Sequence, residues 1–175
     1  MASLRKEIEL ADMEWGSDPK GGTVRLVFPA LSGFYAIAEP LSYAALRFAF
    51  GIILLTHGMP KLLGSGHGAT TIAPLARSVG HIENVLNLPF PWAFGYFIMF
   101  LETGGALMLA FGLFTRIVAP MIAVEMAAIC FVLAPTWIWF QTGMEYPLLM
   151  GFLALYISFK GGSRYSLDRI LGREI

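Results

Sequence analysis

Two groups of charged or titratable residues lie inside apolar stretches of this sequence, where such side chains are rare and usually have a role. The first group is one cation with two carboxylates, Arg47, Glu102 and Glu125. Because one cation neutralises only one carboxylate, we expect this buried charge network to bind or share a proton. The alternative is a structural ion pair that fixes the register of packed helices. Neither interpretation assigns a catalytic residue.

The second group is His57, Lys61 and Glu145. A quinone headgroup requires hydrogen-bond donors, a titratable group and an apolar slot, and His57 and Lys61 offer the first two. These residues therefore predict a site near a ligand, with a quinone as a possible occupant. The alternative is that Lys61 reaches lipid phosphates and His57 only closes the end of a helix bundle. The three histidines lack the regular spacing of familiar metal sites, so we predict no metal.

The composition defines the class of protein around these groups. Hydrophobic residues make up 57% of the chain and charged residues 14%, whereas a soluble domain has about 25% charged residues. We therefore expect an integral membrane protein whose first partner is the lipid bilayer. A formal net charge of zero gives no argument for a nucleic-acid partner. No haem, flavin or iron–sulfur ligation pattern is visible, and the single cysteine, Cys130, excludes an intrachain disulfide.

Four apolar stretches are candidates for membrane-spanning helices, at about residues 41–63, 92–116, 117–134 and 145–159. They predict an all-α fold, a four-helix integral membrane bundle over residues 41–160. Residues 1–40 are predicted as an interfacial N-terminal segment, because Pro29, Gly33 and Pro40 interrupt its apolar part. Residues 161–175 are predicted as a C-terminal tail, and a short helix is expected near residues 72–78.

Counting about 1.5 Å per residue from the span ends separates the two groups in depth. Arg47, Glu102 and Glu125 share an inner level, so we expect Arg47 to pair with Glu102. His57, Lys61 and Glu145 fall at the outer surface. Lys and Arg concentrate near both termini and at Arg116, which predicts that both termini are cytoplasmic.

These stretches resemble the DoxX family of small four-span bacterial membrane proteins over about residues 41–170. Four stretches of the sequence carry the resemblance: His57-Gly58-x-x-Lys61-Leu62, then Glu102-x-Gly104-Gly105 continuing to Gly112-Leu113-x-Thr115-Arg116, then Glu145, and finally the tail Gly161-Gly162-Ser163-Arg164-Tyr165-Ser166-Leu167-Asp168.

The resemblance implies a place in the bacterial inner membrane and association with redox systems, such as the small subunits of thiosulfate:quinone oxidoreductase. We therefore expect a membrane subunit of a respiratory-type redox complex, near the quinone pool, whose cofactors are carried by partner subunits. A dithiol mechanism requires two cysteines, and the sequence has only one, so we do not expect such a mechanism. The alternative is a purely structural or assembly subunit. A proton-coupled transporter using Glu102 is disfavoured, because the sequence shows neither broken helices nor inverted halves.

The charge pattern predicts the topology directly. Reporter fusions after Ile175 and within residues 64–68 are expected to report opposite sides of the membrane. The same compartment for both fusions would contradict the four-span arrangement.

Overall fold

The structure is a computed structural model, and it describes residues 27–64, 73–138 and 141–172. All regular secondary structure within these ranges is helical, which confirms the predicted all-α fold. Residues 1–26 of the predicted interfacial N-terminal segment lie outside the described residues. The chain divides into two compact units between Tyr43 and Ala44, and every tertiary contact discussed below lies within the second unit.

The described residues form six helices. After a 3-10 turn at Pro29–Leu31, they are α1 at Ser32–Leu63, α2 at Pro74–Asn84, α3 at Pro91–Phe111, α4 at Thr115–Leu133, α5 at Glu145–Lys160 and α6 at Leu167–Ile170. Within the described ranges, Pro29–Leu63, α3 and α4 are long and apolar enough to cross a membrane. The protein is therefore an all-α membrane protein in contact with the lipid bilayer.

The last long helix, α5, matches the predicted fourth span in position but is short. Its 16 residues extend over about 24 Å, less than the hydrocarbon thickness of about 30 Å. It packs along α4, so it is the fourth helix of the bundle. Its crossing of the membrane stays a prediction.

Helix α1 begins at Ser32 instead of at the predicted Leu41. The interrupting residues do not prevent helix formation. Pro29 lies in the preceding 3-10 turn, and Pro40 continues the helix. A proline removes one backbone hydrogen bond, but in an apolar medium every alternative backbone conformation would leave more groups unsatisfied. The helix therefore begins more than two turns before the predicted start of the first span, and where the chain enters the membrane stays a prediction.

Two glycines bring the backbones of α1 and α3 close together. A Cβ atom added to Gly51 would lie 2.5 Å from the carbonyl oxygen of Ala106, and one added to Gly58 would lie 2.5 Å from that of Glu102. Small residues permit such close approach, and packing of this kind drives helix association in lipid, where water exclusion contributes little. Farther toward its start, α3 packs against α2, where Gly95 meets Val79.

Replacing Gly58 by alanine is expected to force α1 away from α3, because the new methyl group would overlap the Glu102 backbone. Overpacking of this kind costs roughly 1–3 kcal/mol of unfolding free energy, measurable as a lower thermal midpoint in detergent. Gly33→Ala is the control, since no atom lies within 4 Å of its added Cβ. Equal midpoints for the two variants would contradict the close contact.

Candidate ligand site inside the helix bundle

Glu102 lies on an irregular turn of α3. Residues Leu101–Gly105 form a π-helical turn, which contains more residues than an α-helical turn and is frequently found at functional sites. The local sequence favours it, because Gly104 and Gly105 are poor helix formers. The Thr103 hydroxyl also donates to the Met99 carbonyl oxygen at 2.7 Å, which is an alternative to regular helix bonding. The turn leaves the Glu102 side chain only 3% exposed.

The partner of Glu102 is Lys61. Its Nζ atom lies 2.6 Å from Glu102 Oε1 and 2.5 Å from Oε2, and the Lys61 side chain is 14% exposed. The expected pair of Arg47 with Glu102 was therefore wrong. That expectation assumed that α1 and α3 end at the same level, whereas Gly58 contacts the Glu102 backbone. Lys61 follows within one turn, so its flexible chain reaches the carboxylate.

Arg47 lies near the opposite end of the second unit, because Lys61 follows it by 14 residues, or about 21 Å of helix. Arg47 is 1% exposed. Its Nη1 donates to the carbonyl oxygen of Gly162, and its Nη2 to that of Tyr165 at 2.6 Å. The guanidinium also packs on Gly112, where an added Cβ would lie 2.6 Å from its Cζ atom. Arg47 thus holds the C-terminal segment.

The same C-terminal segment holds the turn between α3 and α4. The carboxylate of Asp168 accepts hydrogen bonds from the backbone N–H groups of Phe114, at 2.7 Å, and Thr115, at 3.1 Å. Its own N–H donates to the Gly112 carbonyl oxygen at 2.9 Å. A carboxylate at a helix start satisfies N–H groups that have no partner in the helix. Asp168 therefore caps α4 from a position far along the chain.

Glu125 is the second buried carboxylate of the site, at 6% exposed. Its charged neighbours are Glu102 and Lys61. Neither of its carboxylate oxygens has a hydrogen-bond partner within the described part of the chain. One cation therefore faces two carboxylates, as the sequence predicted, but the cation is Lys61 instead of Arg47.

A cavity of about 530 Å³ lies beside these residues. Its polar lining includes Glu102, His57 and Tyr146, and the rings of His57 and Tyr146 have their centroids 6.3 Å apart. His57 and Tyr146 are exposed, whereas Glu102 is buried, so the cavity extends from the surface of the bundle to the carboxylate. The apolar wall includes Leu54, Met126, Ile129, Leu133, Pro147 and Met150.

The three residues predicted near a ligand are thus placed differently. His57 lines the cavity, and Lys61 binds the carboxylate that lines it. Glu145 is the exposed first residue of α5, and the adjacent Tyr146 lines the cavity in its place. Sequence reasoning missed Tyr146, although an aromatic residue beside a charged one at a predicted span end was a usable signal. Within the described ranges, no group of three or more His, Cys, Asp or Glu residues is arranged to hold a metal ion.

Fold and site together define a helical membrane protein with an apolar cavity that ends at a buried ion pair. The DoxX family model matches residues 42–135, more than half of the 175-residue chain. The chain therefore belongs to the DoxX family. No curated protein and no solved structure matches it. The family match ends before α5, so Tyr146 and the C-terminal segment lie beyond it.

The ion-pair assignment predicts which pairs of substitutions interact. Removing one partner of a buried pair costs about 3–5 kcal/mol, although here Glu125 can take over as partner of Lys61 after Glu102→Gln. Lys61→Met leaves two carboxylates that can both take up protons. The double variant is expected to lose clearly less stability than the sum of the single losses, measured by thermal unfolding in detergent.

Arg47→Leu combined with Glu102→Gln is the matched control for this cycle. These two residues lie far apart, so their effects are expected to add within about 0.5 kcal/mol. Additive losses for Lys61 and Glu102, or a strong interaction between Arg47 and Glu102, would contradict the assignment.

Proposed function

We propose that this protein is a membrane subunit of a respiratory-type redox complex that binds a quinone in its cavity and carries no redox cofactor of its own. The observation that carries this proposal is the cavity itself, about 530 Å³ in volume. Sites for small ligands typically have volumes of about 300–1,000 Å³, apolar walls and a few polar groups. The partner subunits then supply or accept the electrons.

The lining suits the chemistry of a quinone. The two carbonyl oxygens of the headgroup accept hydrogen bonds, and His57 and Tyr146 can donate them. The apolar wall formed by residues such as Met126 and Met150 suits a flat ring and the start of an isoprenoid tail. Glu102, paired with Lys61, lies at the buried part of the cavity. A charged pair there favours an occupant with a polar headgroup over a plain lipid chain.

The proposal also places the protein in the bacterial inner membrane, with a defined orientation. With both termini on the cytoplasmic side of a bacterial inner membrane, the Arg47 end of the unit faces the cytoplasm. The cavity then lies in the outer half of the membrane, because it opens near the C-terminal end of α1 and the segment before α5. A partner that exchanges electrons with the quinone would approach from that half.

A structural or assembly subunit is the second candidate. Its support is the pair of interactions that join distant parts of the chain, Lys61 with Glu102 and Asp168 with the start of α4. In that case the residues of the cavity contribute only to stability. The following experiment separates the two functions.

His57→Ala is expected to weaken binding of a short-chain quinone about tenfold, which corresponds to about 1.4 kcal/mol for one lost hydrogen bond. Binding is measured by quenching of tryptophan fluorescence in detergent, and the variant is expected to insert and to copurify with its partners normally. His81→Ala, on the exposed side of α2, is the control.

Met150→Trp is expected to fill the cavity and abolish quinone binding. Leu149→Trp adds the same side chain at a neighbouring exposed position and is expected to leave binding unchanged. Unchanged quinone content and turnover in both His57→Ala and Met150→Trp would refute the quinone site and favour the assembly subunit.

A further inference from the structure

We infer that Glu102 and Glu125 together bind one proton inside the bundle and that this proton reaches the solvent through the cavity. The three residues concerned come from three helices, Lys61 from α1, Glu102 from α3 and Glu125 from α4. A quinone headgroup in the cavity could bind without the second carboxylate, Glu125. The proton site is therefore a separate property of the same region.

The charges require the proton. Both oxygens of Glu102 contact the ammonium of Lys61, and Glu125 is 94% buried without a hydrogen-bond partner among the described residues. A buried carboxylate without its own cation or donors is far more stable in the protonated form. With both carboxylates ionised the group carries a net charge of −1, and with one proton it is neutral.

The described neighbouring helices add no further charge to the group of Lys61, Glu102 and Glu125. Toward it, α1 contributes Lys61 and the exposed His57, and α5 contributes the uncharged Tyr146. Lys61 is the positive neighbour that acts on Glu125. Among the residues that the structure describes, one cation and two carboxylates therefore remain, and the site holds one proton.

The placement of the two carboxylates gives the proton a route. Glu102 lines the cavity, whereas Glu125 is not among the residues that line it. Transfer breaks the O–H bond of Glu125 and forms one on a Glu102 oxygen, while Lys61 stays positively charged. Glu102 then passes the proton to an oxygen atom in the cavity. That atom belongs to water or, if the proposed function holds, to a reduced quinone that has received its electrons from a partner subunit.

Infrared spectroscopy of the purified protein tests the proton count without any ligand. A protonated carboxylic acid has a C=O stretching band that shifts in D₂O. Wild type is expected to show one such band. Glu125→Gln and Glu102→Gln are each expected to lose it, because the remaining carboxylate then pairs with Lys61. Lys61→Met is expected to double its area, and Glu83→Gln, an exposed carboxylate on α2, leaves it unchanged.

No band in wild type, or an unchanged band in both glutamate variants, would overturn the proton site. If one glutamate variant fails to fold, the presence of the wild-type band and its doubling in Lys61→Met still decide the question.

The route is tested by the rate at which the band shifts after transfer into D₂O. Met150→Trp, which fills the cavity, is expected to slow this shift at least tenfold, whereas Leu149→Trp leaves it as in wild type. Equal rates in both variants would show that the proton does not use the cavity. Because quinone is absent from this measurement, failure of quinone binding would refute the proposed function and leave the proton site intact.

Discussion

The ion pair between Lys61 and Glu102 is the constraint on which the rest of the site depends. A charge inside the membrane is costly unless it is paired, and here the pair forms only because Gly58 lets α1 contact the backbone of Glu102. The same contact fixes how far α1 extends along α3. It therefore also decides that, among the described residues, Glu125 shares its one cationic neighbour, Lys61, with Glu102.

The second unit has a different polar cluster at each end. At one end Arg47 binds backbone carbonyl groups of the C-terminal segment, and Asp168 binds backbone N–H groups at the turn before α4. These two residues are one cation and one carboxylate, so their charges balance without an added proton. At the other end the carboxylates exceed the cation, and an apolar cavity adjoins them. The first cluster therefore suits a structural role, whereas the second suits a ligand and a proton.

Much of this protein was predictable from local sequence. Apolar length and the scarcity of charge predicted an all-α membrane bundle, and the short helix before α3 was also expected, although α2 begins at Pro74 and not near residue 72. The sequence also predicted one buried cation for two carboxylates, but it named Arg47 where the structure has Lys61. Helix α1 begins before the predicted start of the first span, because proline and glycine interrupt a helix less in an apolar medium than in water, where a broken helix can be solvated.

The sequence by itself determined the class of fold and the burial of Arg47, Glu102 and Glu125, because hydropathy and charge are properties of single residues and short stretches. Only the tertiary structure decided the partners. Lys61 instead of Arg47 binds Glu102, and Tyr146 instead of Glu145 lines the cavity. These choices depend on how far one helix slides along another, and that offset follows from glycine contacts between α1 and α3 and from the π-turn at Glu102. Neither is encoded in the spacing of residues along one helix.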